Sequence, residues 1–383
     1  AVHTCGRIFN DKDDLVSNNK FVVPETGFDV LCDENYDPFF SFVNGKKNLK
    51  NYKLSLDLIN HLGQKKNKII NFKKIAPYET CFNFFLDKSD RNFYNNKKGI
   101  VKINHSFKSF FPRFLAGNFD KKKNNSSITH TYYDLSTKKD NSQYWINPNS
   151  KKYFDSSVAV PLFVRDNLKT EIAIYPNFSK SIFNLNLQIF DQQGKKKGFI
   201  RNFFKIDDQF KSIKYLDLNQ IIKSKNILLN KKNNYFCRIY LSYKDKILAR
   251  LKFGLNIGRV NKKNSSFDCN ICFNAIVPIK FIEKKRGTFK WGLLLNKNNS
   301  QILISNISNL KFSDKKANLN LKFWNTYNSN FLQKRISIPS NGNLFFNLNK
   351  EKRIKNFLKK NAGWMTIESD NPFINGWYLD ISK

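Results

Sequence analysis

The chain has a single methionine and only 15 glycines in 383 residues, and its 11 arginines are outnumbered by 56 lysines. No run of about 18 apolar residues occurs, so no segment reads as a membrane-spanning helix. Enzyme signatures are missing too: there is no G-x-S-x-G, no H-E-x-x-H, no G-x-x-x-x-G-K-S/T and no G-x-G-x-x-G. The four histidines, His3, His61, His105 and His130, never stand at metal-ligand spacing. Cys269 and Cys272 form a C-x-x-C with no second pair nearby, which leaves a structural zinc site half built. Both fall in a predicted strand, Phe267 to Val277, so these thiols and those of Cys5, Cys32, Cys81 and Cys237 are expected to be buried or half-buried. No cofactor is implied. Glu25, Asp29, Asp33 and Glu34 cluster near the start and read as loop carboxylates.

Lysine is abundant, with a net charge of +37. Selected phosphate readers favour arginine for its bidentate fork. Abundant Lys, Asn, Ile and Phe with scarce Ala and Gly is instead what an A+T-rich coding sequence produces. The lysines are scattered, with Lys121–Lys123 and Lys195–Lys197 the only triplets, both in predicted turns. Nucleic acid is therefore not the expected partner, although a salt-sensitive polyanion binder stays as an alternative.

One stretch is written three times. Leu185, Leu187 and Ile189 alternate with polar residues, the period of a half-buried strand, and Asp191 to Gly194 supplies a turn in which Gly194 takes φ > 0. Leu54 to Gly63 stands at an offset of 131 and Leu319 to Asn328 at 134 on the other side, with Asn328 in place of the glycine. Other landmarks keep the spacing. Ile75 and Ile206 share the 131 offset, and Gly363 to Ile367 follows Gly99 to Ile103 by 264 residues. Asn44 and Asn177 each end the strand before the organising one. Residues 219–230 are expected to hold one short helical turn and Asn347 to Phe357 a short crossing helix, whereas the segment after Leu86 reads as a charged loop. Trp364 is expected in the core, and His61 in a solvated turn.

About seven short strands per hundred residues, with turn signals between them, predict an all-β chain of three tandem antiparallel β-sandwiches related by internal repeat. The units resemble immunoglobulin-like sandwiches, although the Cys…Trp…Cys spacing of true immunoglobulin domains is missing. The expected layout is a lead-in over 1–26, sandwiches over 27–118, 156–262 and 265–383, and an ordered aromatic crossover over 119–155.

The crossover and its flank carry Arg113, His130, Tyr132, Tyr133, Asp134, Tyr144 and Trp145. Aromatic faces beside a cation and a carboxylate suit sugar or peptide recognition, and equally suit packing at a junction. The expected function is a non-enzymatic binding or structural module that presents loops to a glycan or protein partner, with a leaning toward the cell surface. A polysaccharide-active enzyme or accessory protein with its site in 113–145 is the alternative, and it lacks an evident carboxylate pair. The sequence leaves the oligomeric state open.

Overall fold

The computed structural model describes residues 23–107, 114–131, 144–146, 153–155, 157–164, 168–175, 182–207, 212–243, 246–248, 250–259, 267–274, 276–278, 289–295, 300–307, 315–325, 330–358, 363–371 and 374–380. The architecture is all-β and antiparallel, with three seven-residue α-helices and one 3-10 turn among the described residues. The first group of strands is β1 (Val23–Val30), β2 (Tyr36–Val43), β3 (Leu49–Ile59), β4 (Lys65–Ile75), β5 (Thr80–Phe84), β6 (Gly99–His105), β7 (Leu115–Asp120) and β8 (Asn125–His130). Two short strands follow, β9 (Tyr144–Ile146) and β10 (Tyr153–Asp155). The second group is β11 (Ser157–Leu162), β12 (Leu168–Ile174), β13 (Phe183–Asp191), β14 (Lys196–Ile206), β15 (Lys214–Asp217), β16 (Tyr235–Tyr243), β17 (Lys246–Leu248), β18 (Arg250–Arg259), β19 (Phe267–Asn274) and β20 (Ile276–Pro278). The third is β21 (Phe289–Leu295), β22 (Ser300–Ser305), β23 (Ala317–Trp324), β24 (Phe331–Ile338), β25 (Asn343–Asn347), β26 (Gly363–Ser369) and β27 (Asn375–Asp380).

The strand orders correspond. The first group forms β1-β6-β3-β4 and β5-β2-β7-β8, the second β11-β16-β13-β14 and β15-β12-β18-β19, and the third β21-β26-β23-β24 and β25-β22-β27. In each group the first sheet and the second sheet supply one apolar cluster between them, which makes the architecture sandwich-like. The organising strands β3, β13 and β23 lie inside their sheets. Leu54, Leu56 and Leu58 point into the first cluster, Leu185, Leu187 and Ile189 into the second, and Leu319, Leu321 and Phe323 into the third. Each such fully buried side chain contributes about 2 kcal/mol.

The turn after the organising strand repeats atom for atom in the first two groups. Asn60 Oδ1 accepts from the backbone N–H of Leu62 and Gln64, as Asp191 Oδ1 does from Gln193 and Lys195. Gly63 and Gly194 have φ of +81° and +79°, the left-handed region where a side chain is costly. Elsewhere asparagine does this work. Of the eight described non-glycine residues with positive φ, all but Tyr78 are asparagines.

A second recurring device is a buried asparagine after the second strand. Asn44 Nδ2 donates to the carbonyls of Lys47, Ile75 and Ala76, and Asn306 Nδ2 to those of Lys315, Ile338 and Pro339. Each ties the end of the fourth strand to its own loop. Asn177 lies outside the described residues.

Each group places a short helix between its fifth and sixth strands: α1 (Lys88–Tyr94), α2 (Leu218–Ser224) and α3 (Lys352–Leu358). The last two match the expected helical segments. The first corrects the charged loop predicted after Leu86. Its start is held by a reciprocal capping box between Asp87 and Asp90, which gives each of their backbone N–H groups a partner that the helix itself does not supply. Arg91 then ties it to the carbonyls of Cys32, Asp33 and Tyr36 and to Asp37. Asp90, itself buried, also takes Lys66 and Lys68.

Cys32, Cys81 and Cys237 are buried free thiols, as expected. Cys269 and Cys272 do lie in one strand, opposite Leu255 and Lys252. His105 is buried against the Phe107 and Phe114 rings, and neither ring nitrogen has a hydrogen-bond partner. Burial lowers its pKa to about 4. A base depressed in the folded state stabilises fully above its unfolded pKa of about 6.5, and that stability drains away as pH falls toward 4. The predicted loss across this window is up to about 3 kcal/mol, and His105→Leu should flatten it. Denaturant midpoints at pH 7, 5.5 and 4.5 measure this; parallel curves for the two proteins would refute it.

Candidate functional site

Arg113, Tyr132, Tyr133 and Asp134 lie outside the described residues. His130 ends β8, opposite Leu115 of β7. Tyr144 and Trp145 sit in β9, opposite Leu248 and Ile247 of β17. The segment 125–130, assigned by sequence to the crossover, pairs with β7 as the fourth strand of the first unit's second sheet.

The strongest constellations lie where units meet, on the outer faces of the second sheets. Ile172 and Ile174 of β12 enter the second unit's own cluster, while Ala173, and Tyr175 just past the strand's end, pack outward against Ile59 and Ile100 of the first unit. Tyr215 joins them from β15, with Lys98 Nζ 4.7 Å above its ring. At the centre of this junction is Asp29. It was read from sequence as a loop carboxylate, yet it belongs to β1 and is 1% exposed. Tyr175 Oη donates to Asp29 Oδ1 at 3.1 Å, and Asn256 Nδ2 to Oδ2 at 3.0 Å. Burial pushes the Asp29 carboxyl above the ordinary range, an effect that Lys98 and these two hydrogen bonds partly offset. Glu171 completes the network, accepting from Asn256 and pairing with Lys169 and Lys98. Gly254 is required here, because a Cβ would crowd the Tyr175 hydroxyl and the Asp29 carboxylate.

The third unit meets the second with the same face. Ile302 and Ile304 of β22 enter their own cluster, whereas Leu303 between them, with Leu379, joins the cluster of the second unit. Phe345 of β25 stands edge-on to Phe163 and Phe236 at 5.8 and 5.5 Å. Trp377 Nε1 donates to Ala159 O at 3.2 Å, and Asn343 Nδ2 to Asp191 O at 2.9 Å.

In the first unit this face is open. Phe39, Phe82 and Phe84 form a cluster on the outer side of the β5-β2-β7-β8 sheet, with Phe119 against Phe84. Phe82 and Phe84 are 51% and 52% exposed. Gly117 leaves the space that the Phe39 ring fills.

A second exposed aromatic group lies on the outer face of the third unit's first sheet. Trp324 and Trp364 are stacked with centroids 4.9 Å apart, and Phe331 leans on Trp324 at 4.7 Å. Trp364 is 39% exposed, which corrects its expected place in the core. Alternation gives the reason, since Met365 and Ile367 take the inward positions of β26. Farther along the same face runs a groove of about 500 Å³ lined by residues that include Asn318, Asn320, Arg335, Ser337, Glu368 and Asp370. Burial raises the Asp370 carboxyl, but hydrogen bonds from the Asn318 backbone and side chain outweigh it and hold the pKa below the usual range.

Sequence reasoning missed Phe82 and Phe84 as a surface, although the alternation Phe82-Asn83-Phe84 on a short strand carries the signal. No group of three or more metal-ligating side chains occurs among the described residues. No described helix is long and apolar enough to cross a membrane. No family model matches the chain, and no curated protein is significantly similar to it.

Proposed function

We propose that the chain is a non-enzymatic assembly module made of three repeated sandwich units, stacked in series and presenting the outer face of the first unit's second sheet to a protein partner. The repeat is supported by the matching strand orders, the paired turns at Asn60 and Asp191, and the paired asparagines Asn44 and Asn306. The immunoglobulin-like character is supported by the second strand lying beside the fifth in one sheet and the third beside the sixth in the other. The edges differ from that pattern, since here the first strand flanks the sixth and the seventh flanks the second. The observation that carries the function is the use of one face. Its aromatic residues are covered by the preceding unit at Tyr215 and Phe345 but stand open at Phe82 and Phe84. Contiguous exposed apolar surface of this kind marks interaction sites.

A second reading, glycan recognition, is favoured by the groove beside Trp324 and Trp364, whose amides and carboxylates offer oriented hydrogen bonds. A screen against neutral and anionic polysaccharides and nucleic acid at about 50 and 300 mM salt separates these readings. The assembly reading expects no salt-resistant retention. A neutral glycan held at both salts, and lost on Trp364→Ala or Asp370→Ala, would replace it with the glycan reading. Retention of any polyanion only at low salt would assign that binding to charge alone.

A further inference from the structure

The face left open on the first unit has its natural counterpart on the third. By the repeat spacing, Ile59, Phe190 and Trp324 occupy one position, 131 and then 134 residues apart. On the sixth strand they pair with Ile100, Phe236 and Trp364. Beyond these, on the first strand, stand Asp29, Pro161 and Leu294. In the first two units this corner receives the next unit. Ile59 and Ile100 are covered by Ala173 and Tyr175, and Phe236 by Phe345. In the third unit the same corner is the stacked Trp324–Trp364 pair, with Trp364 still exposed. One chain therefore carries an uncovered donor face at Phe82 and Phe84 and an uncovered acceptor corner at Trp324 and Trp364.

We propose that the tryptophan corner of one copy docks on the Phe82–Phe84 face of a second copy, repeating between chains the contact made twice within each. This rests on the assembly-module reading and names its partner. The argument for a second copy is continuity with the internal junctions: the positions equivalent to Phe82 already meet this corner as Phe345 against Phe236 and as Tyr215 against the cluster of Ile59 and Ile100. Such a contact is heterologous, so every open assembly keeps one free face and one free corner, and growth continues unless rotation closes a ring.

Charge opposes this association. At +37 per chain, copies repel one another at low ionic strength, so the contact should tighten as salt screens them. Polyanion binding responds in the opposite direction.

Sedimentation velocity of the full chain over a range of concentrations, at about 50 and 500 mM salt, tests the proposal. The expected result is a mass that grows with concentration and more steeply at the higher salt. Phe82→Glu with Phe84→Glu should weaken association by about 30-fold or more, and so should Trp364→Glu. Thermal melts of both variants show whether the fold is kept. Mixed in equal amounts, the two variants each bring one intact end, so they should form dimers and go no further. A wild type that stays monomeric to its solubility limit overturns the proposal. Association that needs Phe82 and Phe84 but ignores Trp364→Glu also overturns it, while leaving the assembly reading in place; that reading fails separately if the polysaccharide screen finds a salt-resistant ligand.

Discussion

Gly194→Ala is expected to destabilise the chain by about 5 kcal/mol and to split its unfolding into two transitions. Only part of this is local. An alanine held at φ near +79° costs about 1–2 kcal/mol. The rest arises because a Cβ at this position would run into the Ser340 carbonyl oxygen of the third unit and crowd the Gly342 amide. Neither is a flexible side chain. The turn must back away, and the hydrogen bonds from Asn343 to Asp191 O and Gln192 O go with it. Gly63→Ala is the control, since it has the equivalent turn and a φ of +81° but no third unit above it. It should cost about 1.5 kcal/mol. Denaturant unfolding followed by far-UV circular dichroism measures both, and tryptophan fluorescence isolates the third unit, where Trp291, Trp324, Trp364 and Trp377 lie. Equal costs for the two substitutions would mean that the second and third units are not coupled through this turn.

The second large effect is expected from Asn306→Ala, at about 4 kcal/mol, with Asn44→Ala near 3 kcal/mol. Both side chains are buried, and each loses its bonds to three carbonyls, of which Ile75 O and Ile338 O are buried. Asn306 costs more because its Oδ1 also accepts from Asn371 Nδ2 at 2.8 Å, a buried bond that the substitution removes. Asp in place of Asn cannot rescue either site, since a carboxylate does not donate. Chemical denaturation gives the size, and a loss below about 1 kcal/mol at both positions would show that the fourth-strand connection holds without them.

The organising strands were legible because their information is local. Alternation at Leu54, Leu56 and Leu58 sets which side faces the core, and Asp191 with Gly194 dictates the turn within four residues. The helix at Lys88–Tyr94 was not, because it has no apolar period to read; a capping box and an arginine reaching back to Cys32 and Asp33 hold it instead. Asp29 was misread for a related reason. Its partners, Tyr175 and Asn256, are 146 and 227 residues away; Phe28, Val30 and Leu31 mark a strand beside it but not that its own side is covered. Trp364 shows a different limit. A large aromatic in a strand is ordinarily packed inward, and only the positions of Met365 and Ile367 reveal that this one faces out. Of the sequence-derived site, Arg113, Tyr132, Tyr133 and Asp134 fall outside the described residues, whereas the surfaces that emerged depend on which sheet faces which neighbour.

The asparagines at positive φ have a consequence for how such a chain can change over generations. Left-handed positions usually constrain a sequence to glycine, and open sheet edges usually call for charge. Here Asn51, Asn95, Asn96, Asn124, Asn202, Asn226 and Asn341 fill the first role, and the edge strands β4 and β14 are studded with lysine for the second. Both residues are what a gene drifting toward A and T supplies in excess. The compositional excess therefore falls at left-handed turns and exposed sheet edges, the places where asparagine and lysine cost the fold least.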